Sequence, residues 1–292
     1  VEDESKKFLV ISTHKGFFRY RRMPFGISSA PAKFQKTMES ILQGIPGVKC
    51  FLDDIMVTAR NREDHLKVIG LVLERLNNAG MRIRPEKCKW LKDSVVYLGH
   101  RIDKFGIHPT EERIEAMKLL KEPTNVKELR SFLGCINYYQ KFIPNLQGDC
   151  AMLHRLLQKG VKWIWTTEHS KAIERLKTIL TSRDTLVHYD PKLPLVLYSD
   201  ASETGVGAVL CHRFPEGVDR PIAYSSRTLN GPERKYSVID REALAIICAV
   251  RKFERYLYGR KFTLRTDHKP LTFIFGEKSE LPTLAMSRVS RW

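Results

Sequence analysis

Two sets of carboxylates in this sequence have the arrangement that metal-dependent chemistry needs. The first is the adjacent pair Asp53 and Asp54, which stands between two apolar runs of strand-like composition, residues 48–52 and 55–57. We expect a tight hairpin with the pair at its tip. Like charges on neighbouring residues raise each other's pKa, and a hard cation such as Mg²⁺ would remove that repulsion. An exposed acidic turn without a metal is the alternative, and the residue types alone leave both open.

The second set, Asp200, Glu242 and Asp267, is scattered along the chain. Two of its members end apolar, strand-like runs, and Glu242 is expected to begin a helix that is apolar on all sides. A carboxylate beside buried surface is unfavourable unless it is paired or metal-bound. An N-cap or surface role explains any one of the three acids, but it explains all three less well. We therefore predict that they converge on one site.

Apolar spacing predicts the elements that carry these acids. In the first hundred residues they are, in order, a hairpin at 8–20, an irregular loop at 23–31, a helix from Pro31, the acidic hairpin, an amphipathic helix at 62–79, and strands at 81–83 and 95–102. The middle of the chain is predicted to contain helices from Pro109, from Asn125 and from about Thr167. Asn125 with Glu128 fits a capping box.

The length, composition and net charge of the chain limit the class of protein. The 292 residues are enough for two domains or three small ones, and a hydrophobic fraction of 42% supports substantial cores. A net charge of +17 favours a polyanionic partner, most often nucleic acid. A generally basic surface without a specific partner is the alternative.

The cysteines indicate an intracellular protein. None of the six forms a CxxC pair and several lie in apolar runs, which is typical of reduced, buried thiols. We find no signal peptide and no apolar stretch of transmembrane length, so no membrane partner is expected. The chain begins without Met and stops inside a patterned stretch, and we expect it to be a piece of a longer protein.

Several motifs in the first hundred residues resemble one known family. They are Met23-Pro24-Phe25-Gly26, Ala30-Pro31, Phe34-Gln35, Phe51-Leu52-Asp53-Asp54-Ile55, Pro85-Glu86-Lys87-Cys88 and Tyr97-Leu98-Gly99-His100. In order and spacing they are similar to the palm of reverse transcriptases from gypsy-type LTR retrotransposons. Residues 129–144 resemble the thumb region of the same family.

This resemblance implies a role for each matching residue. Asp53 and Asp54 would be two of the three carboxylates that hold two Mg²⁺ ions, or Mn²⁺ in their place, for nucleotidyl transfer. The implied substrate contacts are Phe25 and Gly26 near the incoming dNTP and template, Gln35 on the template, Phe51 in place of the usual tyrosine, Lys87 near the triphosphate, and Leu98 and Gly99 at the primer end. For Lys87 a solvated surface role is nearly as well supported.

The sequence also departs from the family pattern. The family's first palm carboxylate lies on a strand upstream of the hairpin at 8–20, and the upstream acids Glu2, Asp3 and Glu4 are in a polar run that does not fit the role. The fingers are also absent. We therefore expect that this chain alone does not polymerise DNA.

The last hundred residues resemble the RNase H domain of the same elements. The matching motifs are Ser199-Asp200-Ala201-Ser202, Pro221-Ile222-Ala223-Tyr224-Ser225-Ser226-Arg227, Asp240-Arg241-Glu242-Ala243 and Thr266-Asp267-His268-Lys269-Pro270-Leu271. The resemblance implies that Asp200, Glu242 and Asp267 bind two Mg²⁺ and cut the RNA strand of an RNA–DNA hybrid. It also implies that Arg227 and Lys269 contact the nucleic-acid backbone. For each of them, a solvated surface role is as well supported. The family's fourth carboxylate would lie beyond Trp292.

The expectations combine into one domain plan. We predict an α+β and α/β multidomain chain, with a partial reverse-transcriptase palm at 1–105, a helical thumb or connection at 106–188 and an RNase H-like mixed sheet with helices at 189–292. The implied partners are an RNA template, a DNA primer, RNA–DNA hybrid, dNTPs and the fingers, protease and integrase of a Pol polyprotein. A domesticated or decayed retroelement remnant that binds nucleic acid without catalysis is the alternative. We expect an intracellular location, in a cytoplasmic virus-like particle or the nucleus.

Overall fold

The computed structural model describes residues 1–181 and 186–274, and it divides into two compact units, Val1–Lys92 and Asp93–Trp292. The part of the predicted RNase H-like domain from residue 275 onward lies outside the described residues. None of the described helices is long and apolar enough to cross a bilayer. The two units are described one at a time.

The first unit is a small α+β assembly. Its elements are α1 (Asp3–Lys6), β1 (Val10–Thr13), β2 (Gly16–Arg19), α2 (Ala30–Leu42), β3 (Val48–Phe51), β4 (Asp54–Val57), α3 (Arg62–Asn78) and a 3₁₀ turn at Pro85–Lys87. Strands β1 and β2 form one antiparallel hairpin, and β3 and β4 form another. The amphipathic faces of α2 and α3 pack with the β3–β4 hairpin around Met38, Leu42, Ile45, Val72 and Leu76.

The second unit begins with a three-stranded meander and a helical layer. These elements are β5 (Ser94–Tyr97), β6 (His100–Asp103), β7 (Ile107–Pro109), α4 (Glu111–Leu119), α5 (Val126–Tyr138), α6 (Leu146–Arg155) and α7 (Thr167–Thr181). The helical layer has one apolar core, which includes Leu129, Ile136, Ile143, Leu146, Leu153, Ile173 and Leu176.

The same unit ends with a mixed four-stranded sheet and its helices. The elements are β8 (Leu195–Ala201), β9 (Gly205–Arg213), β10 (Asp219–Thr228), α8 (Val238–Lys252), α9 (Glu254–Leu257), β11 (Phe262–Arg265) and α10 (Lys269–Ile274). The strand order is β10-β9-β8-β11, in which β11 is parallel to β8 and the other pairs are antiparallel. Helices α8 and α9 cover one face around Leu195, Leu197, Leu210 and Phe253.

Several predicted elements have different limits in the structure. Residues 81–83 form no strand, and the single strand expected at 95–102 is two strands joined by a turn. Pro109 ends β7 instead of opening a helix, because its backbone pairs with His100 and α4 begins only at Glu111. Glu242 lies in the second turn of α8, since Ser237 is the N-cap of that helix.

The mixed helix-and-sheet architecture agrees with the predicted fold class. The boundary between the compact units falls at Lys92, whereas the sequence assigns the palm to residues 1–105. The compact units are defined by contacts between residues, whereas the predicted domains are defined by resemblance to a family. The two divisions need not coincide, so the boundaries predicted at 105 and 188 stay predictions.

Candidate active sites

The acidic pair lies at a two-residue hairpin turn, displaced by one residue from the prediction. Phe51 pairs with Asp54, so the turn residues are Leu52 and Asp53, and Asp54 is the first residue of β4. Leu52 has φ of 52°, a left-handed conformation that an L-residue with a Cβ adopts at a cost of about 1–3 kcal/mol. Both carboxylates are exposed. The pair therefore presents its oxygens to solvent on a strained turn.

The side chain of Gln35 holds this turn from the neighbouring helix α2. Its Oε1 accepts a hydrogen bond from the Leu52 backbone N–H at 2.6 Å, and its Nε2 donates to the carbonyl of Cys50 at 3.0 Å. The same Nε2 donates to Oε1 of Glu39 at 2.7 Å. The predicted template contact of Gln35 stays a prediction, but its amide is directed at the hairpin backbone.

The thiol of Cys50 adds a further contact to the turn. Its Sγ lies 3.3 Å from the carbonyl oxygen of Leu52. Burial raises the pKa of this thiol, and the negative charges of Glu39, Asp54 and Asp53 raise it further. The thiol therefore stays protonated at neutral pH and donates to the carbonyl.

The remaining residues that the resemblance places around the palm site are accessible. The side chain of Phe25 is fully exposed, Phe51 is half exposed and Lys87 is exposed at the end of its 3₁₀ turn. Gly26 has φ of +88° and open space where a Cβ would be. These positions can meet a ligand, and their individual substrate roles stay predictions.

The predicted primer-end residues Leu98 and Gly99 form the turn between β5 and β6. Both have positive φ, 48° and 70°, as a tight turn between paired strands requires. The hydroxyl of Tyr138 on α5 donates to the Leu98 carbonyl, and a Cβ at Gly99 would lie 2.8 Å from that hydroxyl oxygen. Glycine is needed here both for its backbone conformation and for the close approach of Tyr138.

The second acidic set converges as the sequence predicts. Strands β8 and β11 run parallel, and Tyr198 lies opposite Arg265. Asp200 and Asp267, each two residues further along the chain, therefore lie at the same, carboxyl-terminal end of the two strands. Helix α8 packs on β8 and β9 and brings Glu242 to that end. One carboxylate oxygen from each acid lies within 4.8 Å of the others. Among the described residues, this is the only group of three or more acid, histidine or cysteine side chains placed to hold a metal ion.

Glu242 has the most perturbed environment of the three acids. Its residue is only 6% exposed, and the Oε2 atom has no hydrogen-bond partner. Burial, with the charges of Asp200 and Asp267, raises the pKa of Glu242 to about 7, and a backbone bond from Ala201 opposes the rise. An unpartnered buried oxygen facing two more carboxylates fits a divalent cation, which would neutralise the repulsion and occupy the oxygen.

The two cations predicted beside this site differ in availability. Arg227 is bound to Glu233 through both terminal nitrogens, at 2.8 and 3.1 Å, and it also contacts Cys248 Sγ. This ion pair raises the pKa of Arg227 and commits its terminal donors to the fold. Lys269 is exposed at the start of α10. The nucleic-acid contacts expected of both residues stay predictions.

Sequence reasoning missed two contacts that shape these sites. The Gln35 amide could not be assigned to the hairpin, because the two segments are 17 residues apart and no local pattern links them. The bond from Tyr138 to Leu98 spans 40 residues. The one signal for the second contact was the Leu98-Gly99 pair, because a glycine after a strand favours a tight turn.

The chain combines a small α+β unit that carries an acidic hairpin with helices and a mixed sheet that carries a second acidic site. Family models assign the class of protein. Residues 2–102 match the model described as reverse transcriptase (RNA-dependent DNA polymerase), and residues 165–264 match an RNase H-like domain found in reverse transcriptase.

Comparison with individual proteins makes the relation more specific. The Tf2-3 and Tf2-7 transposon polyproteins of Schizosaccharomyces pombe are each 36% identical to the chain over 294 residues, which covers 99% of this chain. The chain spans 22% of the length of these relatives. The chain therefore aligns with a segment of each of these transposon polyproteins.

Solved structures with the same fold include foamy viral ones. A foamy viral protease-reverse transcriptase in complex with double-stranded DNA has a TM-score of 0.80 and 25% identity, covering 97% of this chain and 59% of that one. The foamy viral enzyme in complex with an RNA/DNA hybrid has a TM-score of 0.77 and 25% identity, covering 93% and 37%. The fold is therefore that of a reverse transcriptase with an RNase H-like domain.

Proposed function

We propose that this chain is the palm, thumb and RNase H part of a retrotransposon enzyme that copies RNA into DNA and cuts the RNA of the resulting hybrid. The element would be of the gypsy type, as the motifs of the first hundred residues indicate. The RNA template, DNA primer, dNTPs and RNA–DNA hybrid are its substrates. The polyprotein's fingers, protease and integrase are its partners.

The observation that carries the nuclease part is the convergence of Asp200, Glu242 and Asp267 within 4.8 Å. Two Mg²⁺ ions, with Mn²⁺ as a substitute, would be held by these oxygens and would supply a nucleophilic water and charge stabilisation at the cleaved phosphate. The residues themselves fix the site. Asp200 and Asp267 lie at the same end of the parallel strands β8 and β11, and Glu242 is buried beside them.

The polymerase part depends on Asp53 and Asp54. Their exposed oxygens on one turn would hold divalent metal together with a further carboxylate, which the described residues do not place beside them. Divalent metal held by Asp53 and Asp54 would stabilise the charge that develops during nucleotidyl transfer. The resemblance to reverse-transcriptase palms implies that this further ligand comes from a strand upstream of the hairpin at 8–20. The site would work inside the cell, in a cytoplasmic virus-like particle or in the nucleus.

Two single substitutions separate the activities in one experiment. The protein is the chain extended at both ends to the length of its transposon relatives, assayed with Mg²⁺ on a primed RNA template and on an RNA–DNA hybrid. Asp53→Asn is expected to lower primer extension by about 10³-fold or more, because the polymerase site loses one metal ligand. It is expected to leave hybrid cleavage unchanged. Asp200→Asn is expected to do the reverse.

Glu216→Gln is the matched control, since it removes an exposed carboxylate from a loop and should change neither activity. Absence of both activities in the unsubstituted protein would contradict the enzymatic proposal. Nucleic-acid binding that survives without either activity would instead support a non-catalytic remnant.

A further inference from the structure

The structure assigns Gln35 a positioning role: its amide fixes the Leu52–Asp53 turn in the conformation that presents the two palm carboxylates to metal. This inference rests on the proposed polymerase function. It concerns a residue that contacts neither carboxylate through its side chain. It also differs from the template contact that the sequence resemblance implies for the same residue.

The turn needs an external constraint because its backbone is strained. Leu52 has a φ of 52°, and this conformation is unfavourable for a leucine. Hairpin turns usually place glycine or asparagine where φ is positive, and this turn has neither. Both carboxylates are exposed, so no packing of their own side chains holds them. Without a constraint, the turn could relax to an unstrained conformation that aims the carboxylates differently.

The Gln35 amide supplies that constraint on the N-terminal side of the strained residue Leu52. Its oxygen accepts from the Leu52 N–H at 2.6 Å and its nitrogen donates to the Cys50 carbonyl at 3.0 Å. These two backbone groups lie on either side of Phe51, immediately before the turn. A side chain that binds both at once fixes the direction in which the strand enters the turn.

The orientation of the amide is itself determined by its neighbours. The nitrogen has two N–H groups, one directed at the Cys50 carbonyl and the other at Glu39 Oε1 at 2.7 Å. A flipped amide would direct N–H at the Leu52 N–H and oxygen at two acceptors, which leaves every bond unmade. Glu39 therefore holds the oxygen of Gln35 in the position where Leu52 needs an acceptor.

We call the hydrogen bonds of the Gln35 amide to the hairpin the clamp. Helix α2, which carries Gln35, is anchored by apolar packing. Met38 and Leu42 are buried against α3 and the β3–β4 hairpin, with Phe34 packed beside them. Gln35 follows Phe34 directly and is half-buried, whereas Thr37 on the same helix is exposed. The clamp thus connects the acidic turn to the apolar core of the unit.

The test uses Gln35→Met, which keeps the length of the side chain and removes all three hydrogen bonds. The matched control is Thr37→Ala, because the Thr37 hydroxyl bonds only to the Lys33 carbonyl of its own helix. In the 292-residue chain, NMR measures the hydrogen exchange of the Leu52 amide and the Mn²⁺ concentration that broadens the Asp53 and Asp54 amide signals. We expect faster exchange and at least about 10-fold weaker Mn²⁺ binding in Gln35→Met only, as for other residues that orient metal ligands.

Kinetics of the extended protein give the second readout. Gln35→Met is expected to lower kcat for primer extension by about 10- to 100-fold with KM for dNTP within about twofold, since a positioning residue acts on the reacting geometry. Glu39→Gln should show a smaller loss, because the amide keeps its two bonds to the hairpin. Thr37→Ala should match the parent.

Each outcome decides the inference. Unchanged Leu52 exchange in Gln35→Met would show that the amide does not hold the turn. Faster exchange with unchanged Mn²⁺ binding would show a structural bond without a positioning role. If the unsubstituted extended protein fails to extend primers, the proposed function is wrong, and the Mn²⁺ titration of the 292-residue chain still decides whether Gln35 positions the pair.

Discussion

At the scale of single residues, the two acidic sites use opposite environments for the same chemical group. Asp53 and Asp54 are exposed on a strained turn, whereas Glu242 is buried with an unpartnered oxygen. An exposed carboxylate is hydrated without a protein partner, so geometry is what can make the first site specific for metal. A buried carboxylate beside two others is unfavourable without a cation. At the second site, binding of a cation would relieve this unfavourable free energy, and the relief contributes to metal affinity.

This difference predicts how the stability of the metal-free chain depends on pH. The Glu242 pKa is raised from 4.5 to about 7 in the folded chain. The folded state therefore holds an extra proton between these values, and the free energy of unfolding falls as pH rises through that interval. The loss is at most about 3 kcal/mol, because one pKa unit corresponds to ~1.4 kcal/mol. Glu242→Gln should remove this decline and be more stable than the parent at pH 8.

Thermal unfolding with EDTA at pH 5 and pH 8 measures the effect, with the exposed Glu216→Gln as the control. Adding Mg²⁺ at pH 8 should stabilise the parent and should stabilise Glu242→Gln much less, because a bound cation replaces the repulsion. Equal pH profiles for the parent and Glu242→Gln would show that the carboxyl does not titrate as its surroundings imply.

At the scale of elements, a local sequence signal correctly placed the start of α5. Asn125 caps α5 by accepting from the Glu128 N–H at 3.0 Å, which confirms the N-cap half of the predicted capping box. The reciprocal bond differs in detail, since Glu128 accepts from the Thr124 N–H and not from the Asn125 N–H. The bonds that the Glu128 carboxylate accepts from the Thr124 backbone N–H, the Thr124 hydroxyl and the Asn125 side-chain amide lower its pKa. The start of α5 matters because this helix carries Tyr138 to the Leu98–Gly99 turn.

The cap gives an element-scale prediction. Asn125→Ala leaves the N–H of Glu128 without its partner and is expected to destabilise the second unit by about 0.5–2 kcal/mol. Urea unfolding followed by circular dichroism measures the change. Lys127→Ala, at an exposed position of the same helix, should stay within about 0.5 kcal/mol of the parent. A loss in Lys127→Ala equal to that in Asn125→Ala would mean that the effect is not due to the cap.

Elements far apart in sequence are joined by specific contacts within the second unit. The Gln147 backbone N–H on α6 donates to Ser226 Oγ on β10 at 3.2 Å, and the Thr228 hydroxyl donates to the Gln147 side chain at 3.0 Å. Ile107 and Leu186 exchange backbone hydrogen bonds. The helical layer and the sheet thus share polar contacts as well as packing, and the predicted boundary near residue 188 is not a break in the contacts.

At the scale of the whole molecule, the charge of +17 is the property most directly connected to nucleic acid. Each phosphate that the protein neutralises releases counterions, and the logarithm of the binding constant falls with the logarithm of salt with a slope of about −0.9 per phosphate. A chain that contacts 6 to 10 phosphates would lose roughly 10³- to 10⁵-fold in affinity between 50 and 200 mM salt.

We predict that this chain binds an RNA–DNA hybrid with such a slope. Fluorescence anisotropy with a labelled hybrid at several salt concentrations measures it, and a DNA duplex of equal length is the control for hybrid preference. A stronger affinity for the hybrid at every salt concentration would agree with recognition of 2′-hydroxyl groups. An affinity that does not change with salt would contradict binding through the phosphate backbone.

The sequence alone determined the composition of both sites and most of their elements. Apolar periodicity and caps depend on neighbouring residues, so the β3–β4 hairpin, α3, α5 and β8 were predictable, as was the convergence of Asp200, Glu242 and Asp267. Tertiary structure decided three other features: the position of the turn at Leu52–Asp53, the bonds of Gln35 to the hairpin and the ion pair of Arg227 with Glu233. Each depends on which side chains approach each other in the folded chain. The hydrophobic pattern of the sequence does not specify such hydrogen bonds of single side chains.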